Sequence, residues 1–222
     1  MTPAPMFALV PVRALTDAKR RLSPLLDAGE RAALARAMLE DVIECLSRAP
    51  SVEEISVVTD DADAARVASD FGALALPDTP EGGLNASLEA AAAWARGSHA
   101  ERALLVLPAD VPGAMPDDIA ALAAENAHVV LAPARDGGTN ALRLRPDAKI
   151  PFAFGLGSCA RHAANARAAG LSVVVVERPG LALDLDRPED VALYLARAGT
   201  SRTLGLLHRL GVARRLKEKA TP

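Results

Sequence analysis

Asp110 stands in the segment LPADVP, where two prolines flank a carboxylate just past the apolar run at 104–107. A side chain so held suits Mg²⁺, a hard ion that takes a few carboxylates together with water and phosphate oxygens. A second acidic pair lies in LALDLDRPEDV, where Asp184 and Asp186 share one side of an extended segment about 7 Å apart. With Asp110 they could hold one or two metal ions. Asp186 also reads as the N-cap of a helix opening at Arg187 or Pro188. Cations cluster early, where Arg13, Lys19, Arg20 and Arg21 follow the first apolar run. Ahead of a helix they suit a nucleoside triphosphate, and a solvated basic loop explains the same letters. The segment is not a P-loop, because the GxxxxGK[ST] glycines are missing. A third group joins the turn RDGGTN, at 135–140, to FAFGLGS, at 152–158. Glycines let a backbone approach a ligand, and Ser158 at a helix start leaves free N–H groups for an anion. A hairpin turn and a capping serine account for those letters equally well.

The elements that must carry these residues alternate. Apolar runs at 7–12, 55–58, 73–76, 104–107, 129–132, 140–144 and 173–176 read as strands. Helices are predicted over 28–47, 62–70, 84–96, 116–125, 158–169 and 188–197. In the first helix Leu34, Met38, Val42 and Leu46 recur every four residues on one face. Asp61 suits the N-cap of the second helix, and Gly72 its end. Continuously apolar strands between helices predict a single α/β domain with a mostly parallel mixed sheet flanked on both faces. In such sheets ligands bind beyond the carboxyl ends of the strands, where the chemistry-bearing residues fall.

The 222 residues carry a net charge of -3, half are hydrophobic and 3% are aromatic. An ordinary globular composition with a sequence pI near 5.8 argues against a nucleic-acid partner. Cys45 and Cys159 are too few and too far apart for a disulfide framework or a zinc knuckle. No run of about 18 apolar residues exists, so no membrane association is expected. The N-terminal apolar stretch is shorter than a signal segment and lacks basic residues before it. The expectation is a cytoplasmic protein that handles small molecules.

Taken together and in order, PVRALTDAKRRL, GGLNASLEAA, LPADVP, DGGTNAL, FGLGS and PGLALDLDRPEDV are specific. The chain resembles the 2-phospho-L-lactate or phosphoenolpyruvate guanylyltransferases of coenzyme F-420 biosynthesis, over roughly residues 7–195. That resemblance implies a glycosyltransferase-A-like nucleotidyltransferase fold. It implies transfer of GMP from GTP to the phosphate of a small phosphorylated three-carbon acid, with release of pyrophosphate. Candidate acids are 2-phospho-L-lactate, phosphoenolpyruvate and 3-phosphoglycerate. By the same resemblance Arg13, Lys19 and Arg21 face the GTP phosphates, and Gly83 and Asn85 the nucleoside. Asp110, Asp184 and Asp186 become ligands of Mg²⁺ or Mn²⁺, Lys19 and Asp110 the catalytic pair, and Thr139, Gly155 and Ser158 the acceptor pocket.

Two features depart from the pattern. Arg13 stands where lysine is expected, and a basic tail follows the domain. The division expected is a nucleotidyltransferase domain over residues 1–196 and a helical tail over 197–222. Leu204, Leu207, Leu210 and Leu216 make that tail partly amphipathic, fit to cap the domain, join a homodimer or touch a partner, against the commoner outcome of a frayed end. A downstream enzyme accepting an unstable product is a further expected partner. The alternatives are a molybdenum-cofactor-type nucleotidyltransferase with a pterin acceptor and a non-catalytic nucleotide-binding protein.

Overall fold

The computed structural model describes residues 4–197 and 199–220, without the side chains of Pro80 and Ala220. Residues 1–3, 198, 221 and 222 of the expected domain and tail lie outside the described residues. Seven strands form one sheet in the order β3-β2-β1-β4-β6-β5-β7. They are β1 Met6–Pro11, β2 Val52–Val58, β3 Leu74–Leu76, β4 Ala103–Val106, β5 Val129–Pro133, β6 Thr139–Leu144 and β7 Val173–Val175. Only β6 runs against its neighbours; the remaining pairs are parallel. The helices are α1 Ala28–Ser47, α2 Ala62–Asp70, α3 Gly83–Ser98, α4 Pro116–Ala124, α5 Ser158–Ala168, α6 Pro188–Leu195, α7 Arg202–Arg209 and α8 Val212–Ala220.

Side chains alternate across a strand, and β1 uses both faces. Met6, Ala8 and Val10 enter a core with Leu34, Met38, Val42 and Leu46 of α1. Phe7 and Leu9 enter the opposite core with Leu88 of α3 and Ala163 and Ala166 of α5. Helix starts are fixed chemically. Asp27 and Glu30 form a capping box on α1, and the Asp61 carboxylate accepts from Ala64 N–H at the head of α2.

The reversal of β6 positions the site. Strands β1 and β4 are parallel neighbours, so their carboxyl ends, leading to Arg13 and Asp110, emerge side by side. Antiparallel β6 pairs Leu142 with Val106 and Leu144 with Leu104. Its first residues, Thr139 and Asn140, therefore come to the same edge. Strand order changes character between β4 and β6, the kind of place where open α/β sheets bind ligands.

Candidate active site

The chain leaving β1 makes two short 3₁₀ turns, Leu15–Asp17 and Arg20–Leu22. The N–H of Leu15 donates to Asp61 Oδ2 at 3.1 Å, pinning the loop to the head of α2. Between the turns Lys19 adopts φ 56°, the one positive value for a non-glycine among the described residues. Such a conformation costs on the order of 1–3 kcal/mol and persists only where its surroundings demand it. Here it turns the ammonium inward, leaving the side chain 9% exposed, 2.7 Å from Asp110 Oδ2 and 3.7 Å from Asp186 Oδ1. Burial alone would depress the Lys19 pKa. The charge and hydrogen bond of Asp110, with the charges of Asp186 and Asp184, outweigh it and hold the ammonium above the ordinary lysine value.

The two carboxylates are brought together by the backbone, since Leu185 N–H donates to the Asp110 carbonyl at 3.0 Å. The capping reading of Asp186 does not hold. Arg187 is the N-cap of α6, and the N–H groups of Asp186 and Arg187 both donate to Asp190 Oδ2. The Asp186 carboxylate is thereby left to Lys19 and to Arg21, whose guanidinium donates to it. Asp184 accepts from Asn140 Nδ2 at 3.4 Å, while the same amide donates to Leu181 O at 2.8 Å. Burial, and next the charge of Asp110, push the Asp184 carboxyl above the usual carboxylate range. Among the described residues no three His, Cys, Asp or Glu side chains close to metal-ligand spacing. The oxygen donors of Asp110 and Asp186 gather one cation already, the Lys19 ammonium, and hard carboxylates of this kind fit Mg²⁺.

Lys19, Asp110 and Asp186 share a cleft of about 320 Å³ with Arg13, Leu15, Met38, Val58 and Leu84. Asp78 and Ser87 also line it. The Ser87 hydroxyl donates to Asp78 Oδ1, and Asp78 N–H donates to Asp60 Oδ1 at 3.0 Å. Asp78 Oδ2 has no protein partner among the described residues. Gly83, at φ 69°, opens α3 beside an adjoining groove that Arg13 also lines. Asn85 does something else. Its Oδ1 accepts from Phe154 N–H at 2.8 Å and its Nδ2 donates to Phe154 O at 3.3 Å, so the amide ties α3 to the loop before α5.

That loop meets the other glycine turn. Cys159 N–H donates to Gly137 O at 3.3 Å, and Ser158 N–H to Gly155 O at 3.0 Å. Gly155 and Gly157 hold φ of 124° and 67°, values that disfavour other residues. Ser158 is fully buried, with its Oγ 2.9 Å from Thr139 Oγ1. Thr139 Oγ1 in turn lies 3.0 Å from His162 Nδ1. Thr139 thus stands between Ser158 and His162, while its neighbour Asn140 holds Asp184. Asp78 and His162 were not singled out by sequence reasoning, and Asn140 figured only as the last residue of the turn RDGGTN. His162 had a signal, because it follows Ser158 by four residues and so shares its helix face.

Residues 6–221 match the family model described as "Guanylyl transferase CofC like". A phosphoenolpyruvate guanylyltransferase of Conexibacter woesei is 40% identical over 214 residues, covering 92% of this chain and 96% of its own. The chain belongs to this guanylyltransferase family. A 3-phospho-D-glycerate guanylyltransferase of Phenylobacterium zucineum is 42% identical over 202 residues, 88% of this chain and 91% of its own. A crystal structure described as a nucleotide-diphospho-sugar transferase of Desulfovibrio desulfuricans superposes with TM-score 0.80 over 96% of this chain and 97% of its own. At 17% identity it shows the shared fold alone. Within the guanylyltransferase family the chain is a nucleotidyltransferase, and neither the pterin-acceptor alternative nor a non-catalytic role is favoured. No helix among the described residues is long and apolar enough to cross a membrane.

Proposed function

We propose that this cleft transfers GMP from GTP to the phosphate of a small phosphorylated three-carbon acid, a step of coenzyme F-420 biosynthesis. The observation that carries the reading is the Lys19 ammonium, buried and gathered with Asp110 and Asp186 at a cleft of nucleotide-binding size. An acceptor phosphate near pH 7 is already anionic, so its oxygen needs no general base. Among the described residues neither histidine nor cysteine lines the cleft. That oxygen forms a bond to the α-phosphorus while the α–β bridging bond breaks, and pyrophosphate leaves with the electron pair. Little covalent help is required; positioning and charge neutralisation do most of the work. Lys19, Arg13 and Arg21 neutralise the triphosphate. Thr139 and the Gly155 loop receive the anionic end of the acid; the Ser158 and Cys159 N–H groups expected to share that task are taken by Gly155 O and Gly137 O, and Ser158 is fully buried.

Asp110 and Asp186, with Asp184 close by, would hold Mg²⁺ or Mn²⁺, which when bound would neutralise phosphate oxygens and polarise the α-phosphate. For the base, Asp78 Oδ2 offers an acceptor to guanine, whose N1–H and N2–H₂ both donate, whereas adenine presents an acceptor at N1. The relatives named for phosphoenolpyruvate and 3-phosphoglycerate support an acid of this class. The product keeps a reactive phosphoanhydride, and an enzyme that consumes it is the expected partner.

Pyrophosphate release measured with Mg²⁺, each of four nucleoside triphosphates and each of the three acids tests this reading. GTP with one of the acids is the expected productive pair. Preference for CTP or ATP would overturn the guanylyl assignment, and release independent of any acid would overturn the acceptor class.

A further inference from the structure

Behind the acceptor loop, Thr139 is joined to two buried polar side chains, Ser158 and His162, to which the proposed chemistry gives no role. Thr139, Ser158 and His162 are each no more than 5% exposed. Ala153 N lies 2.9 Å from His162 Nε2. A backbone amide can only donate, so Nε2 carries no proton. Burial, with the charge of Arg161 adding to it, pushes the imidazole down to about 4, so the ring is neutral near pH 7. Its one proton therefore sits on Nδ1, 3.0 Å from Thr139 Oγ1. Ser158 Oγ donates to that same oxygen at 2.9 Å. Thr139 Oγ1 then accepts twice, and its own proton finds no acceptor inside the group.

The count of protons leads to the same place. The group holds three protons, one on Nδ1 and one on each hydroxyl, and its two internal links consume two of them. One donor is left to face outward. Were Nδ1 bare, the two hydroxyl protons would close both links and nothing would remain for a ligand. The Ser158 proton is spent on Thr139 Oγ1, so the surplus proton is the one Thr139 carries, and Thr139 is the less buried of the two residues.

We propose that His162 is a positioning residue that, through its Nδ1–H, makes the Thr139 hydroxyl an obligate donor to the anionic end of the acceptor acid. This rests on the reading of Thr139 as part of the acceptor pocket. The ring is held for the task, with Ala153 fixing Nε2 and Phe154 packed edge-on at 4.9 Å between centroids. An anion accepts hydrogen bonds and donates none, so an obligate donor suits it and disfavours a ligand group that must donate.

His162→Phe and His162→Asn separate the possibilities, because the asparagine amide can still donate to Thr139. With GTP and the best of the three acids, His162→Phe should raise the KM for the acid about ten- to a hundredfold. The KM for GTP should stay unchanged, and His162→Asn should recover most of the loss. Equal rises in both KM values, or a lowered melting temperature without a split, would overturn the proposal. Nitrogen-15 spectra of the wild-type histidines decide it even where the phenylalanine variant fails to fold. His162 should show protonated Nδ1 and bare Nε2, and the opposite tautomer or an imidazolium at pH 7 contradicts the inference. Wild-type protein that used none of the acids would instead count against the acceptor reading, with the tautomer judged on its own.

Discussion

Lys19 fixes the charge balance of the site: one ammonium serves two carboxylates in a loop held in an unfavourable backbone conformation. Removing the Asp110 charge breaks that balance and, on the proposed reading, takes away a metal donor. Asp110→Asn should lower turnover by at least about a hundredfold, as loss of a preorganised electrostatic group commonly does. Circular dichroism should stay that of the folded protein, and near-normal turnover in this variant contradicts the role given to the carboxylate. Base choice is tested at Asp78. Asp78→Asn presents a donor where guanine also donates, so GTP should be used worse and xanthosine triphosphate, with a carbonyl at C2, better; competition between the two nucleotides reads it. Asp110 stood out in the sequence as a carboxylate just past an apolar strand, and Lys19 and Asp186 as members of a cationic and an acidic cluster; that the ammonium sits between the two carboxylates was not legible. Nor were Asp78 and His162. A carboxylate before a helix and a histidine within one are ordinary letters until the fold shows what lies opposite them.

Among the elements, strands and helices followed from apolar period and capping residues. The helix expected over 28–47 is α1, and that over 62–70 is α2, because Asp61 and Gly72 mark its ends chemically. The pairing of β6 was not legible, since antiparallel insertion depends on contacts between distant segments. The tail was legible only as amphipathic. Of the outcomes weighed for it, capping of the domain is what the structure shows, in two helices separated at Gly211, which takes φ 65°. Asp41 of α1 accepts from the N–H groups of Arg202 and Thr203 at 2.9 Å each, covering the head of α7. Arg215 makes a two-pronged bond to Glu30 and reaches Leu25 O, bracing the end of the loop that carries Lys19. Leu207 is fully buried in the α1 core. Leu207→Ala should therefore destabilise the protein by about 2–5 kcal/mol, measured by denaturant unfolding. A change within the error of that measurement would mean that the tail merely rests on the domain.

For the molecule as a whole, acid sensitivity follows from groups whose folded pKa is depressed. His162 falls from 6.5 to about 4 through burial. The unfolded chain then binds a proton that the native state refuses, so stability drops as pH falls from about 6.5 towards 4. The full loss is about 3 kcal/mol, because each tenfold difference in proton affinity between the two states is worth about 1.36 kcal/mol. Glu30 and Glu44, lowered by hydrogen bonds from Arg215 and Arg202, lose their contributions below the ordinary carboxylate range. Asp184, raised by burial, acts in the opposite sense. His162→Asn should flatten the melting temperature between pH 6.5 and 4.5, and an unchanged slope would place the sensitivity elsewhere. The central claim is tested most directly by following the α-phosphate of GTP labelled with phosphorus-32, in the presence of Mg²⁺ and phosphoenolpyruvate, phospholactate or phosphoglycerate. The label should appear in a new compound joined to the acid, with one pyrophosphate released for each. Label that remains in GTP with all three acids, or appears only as free GMP, would contradict the account.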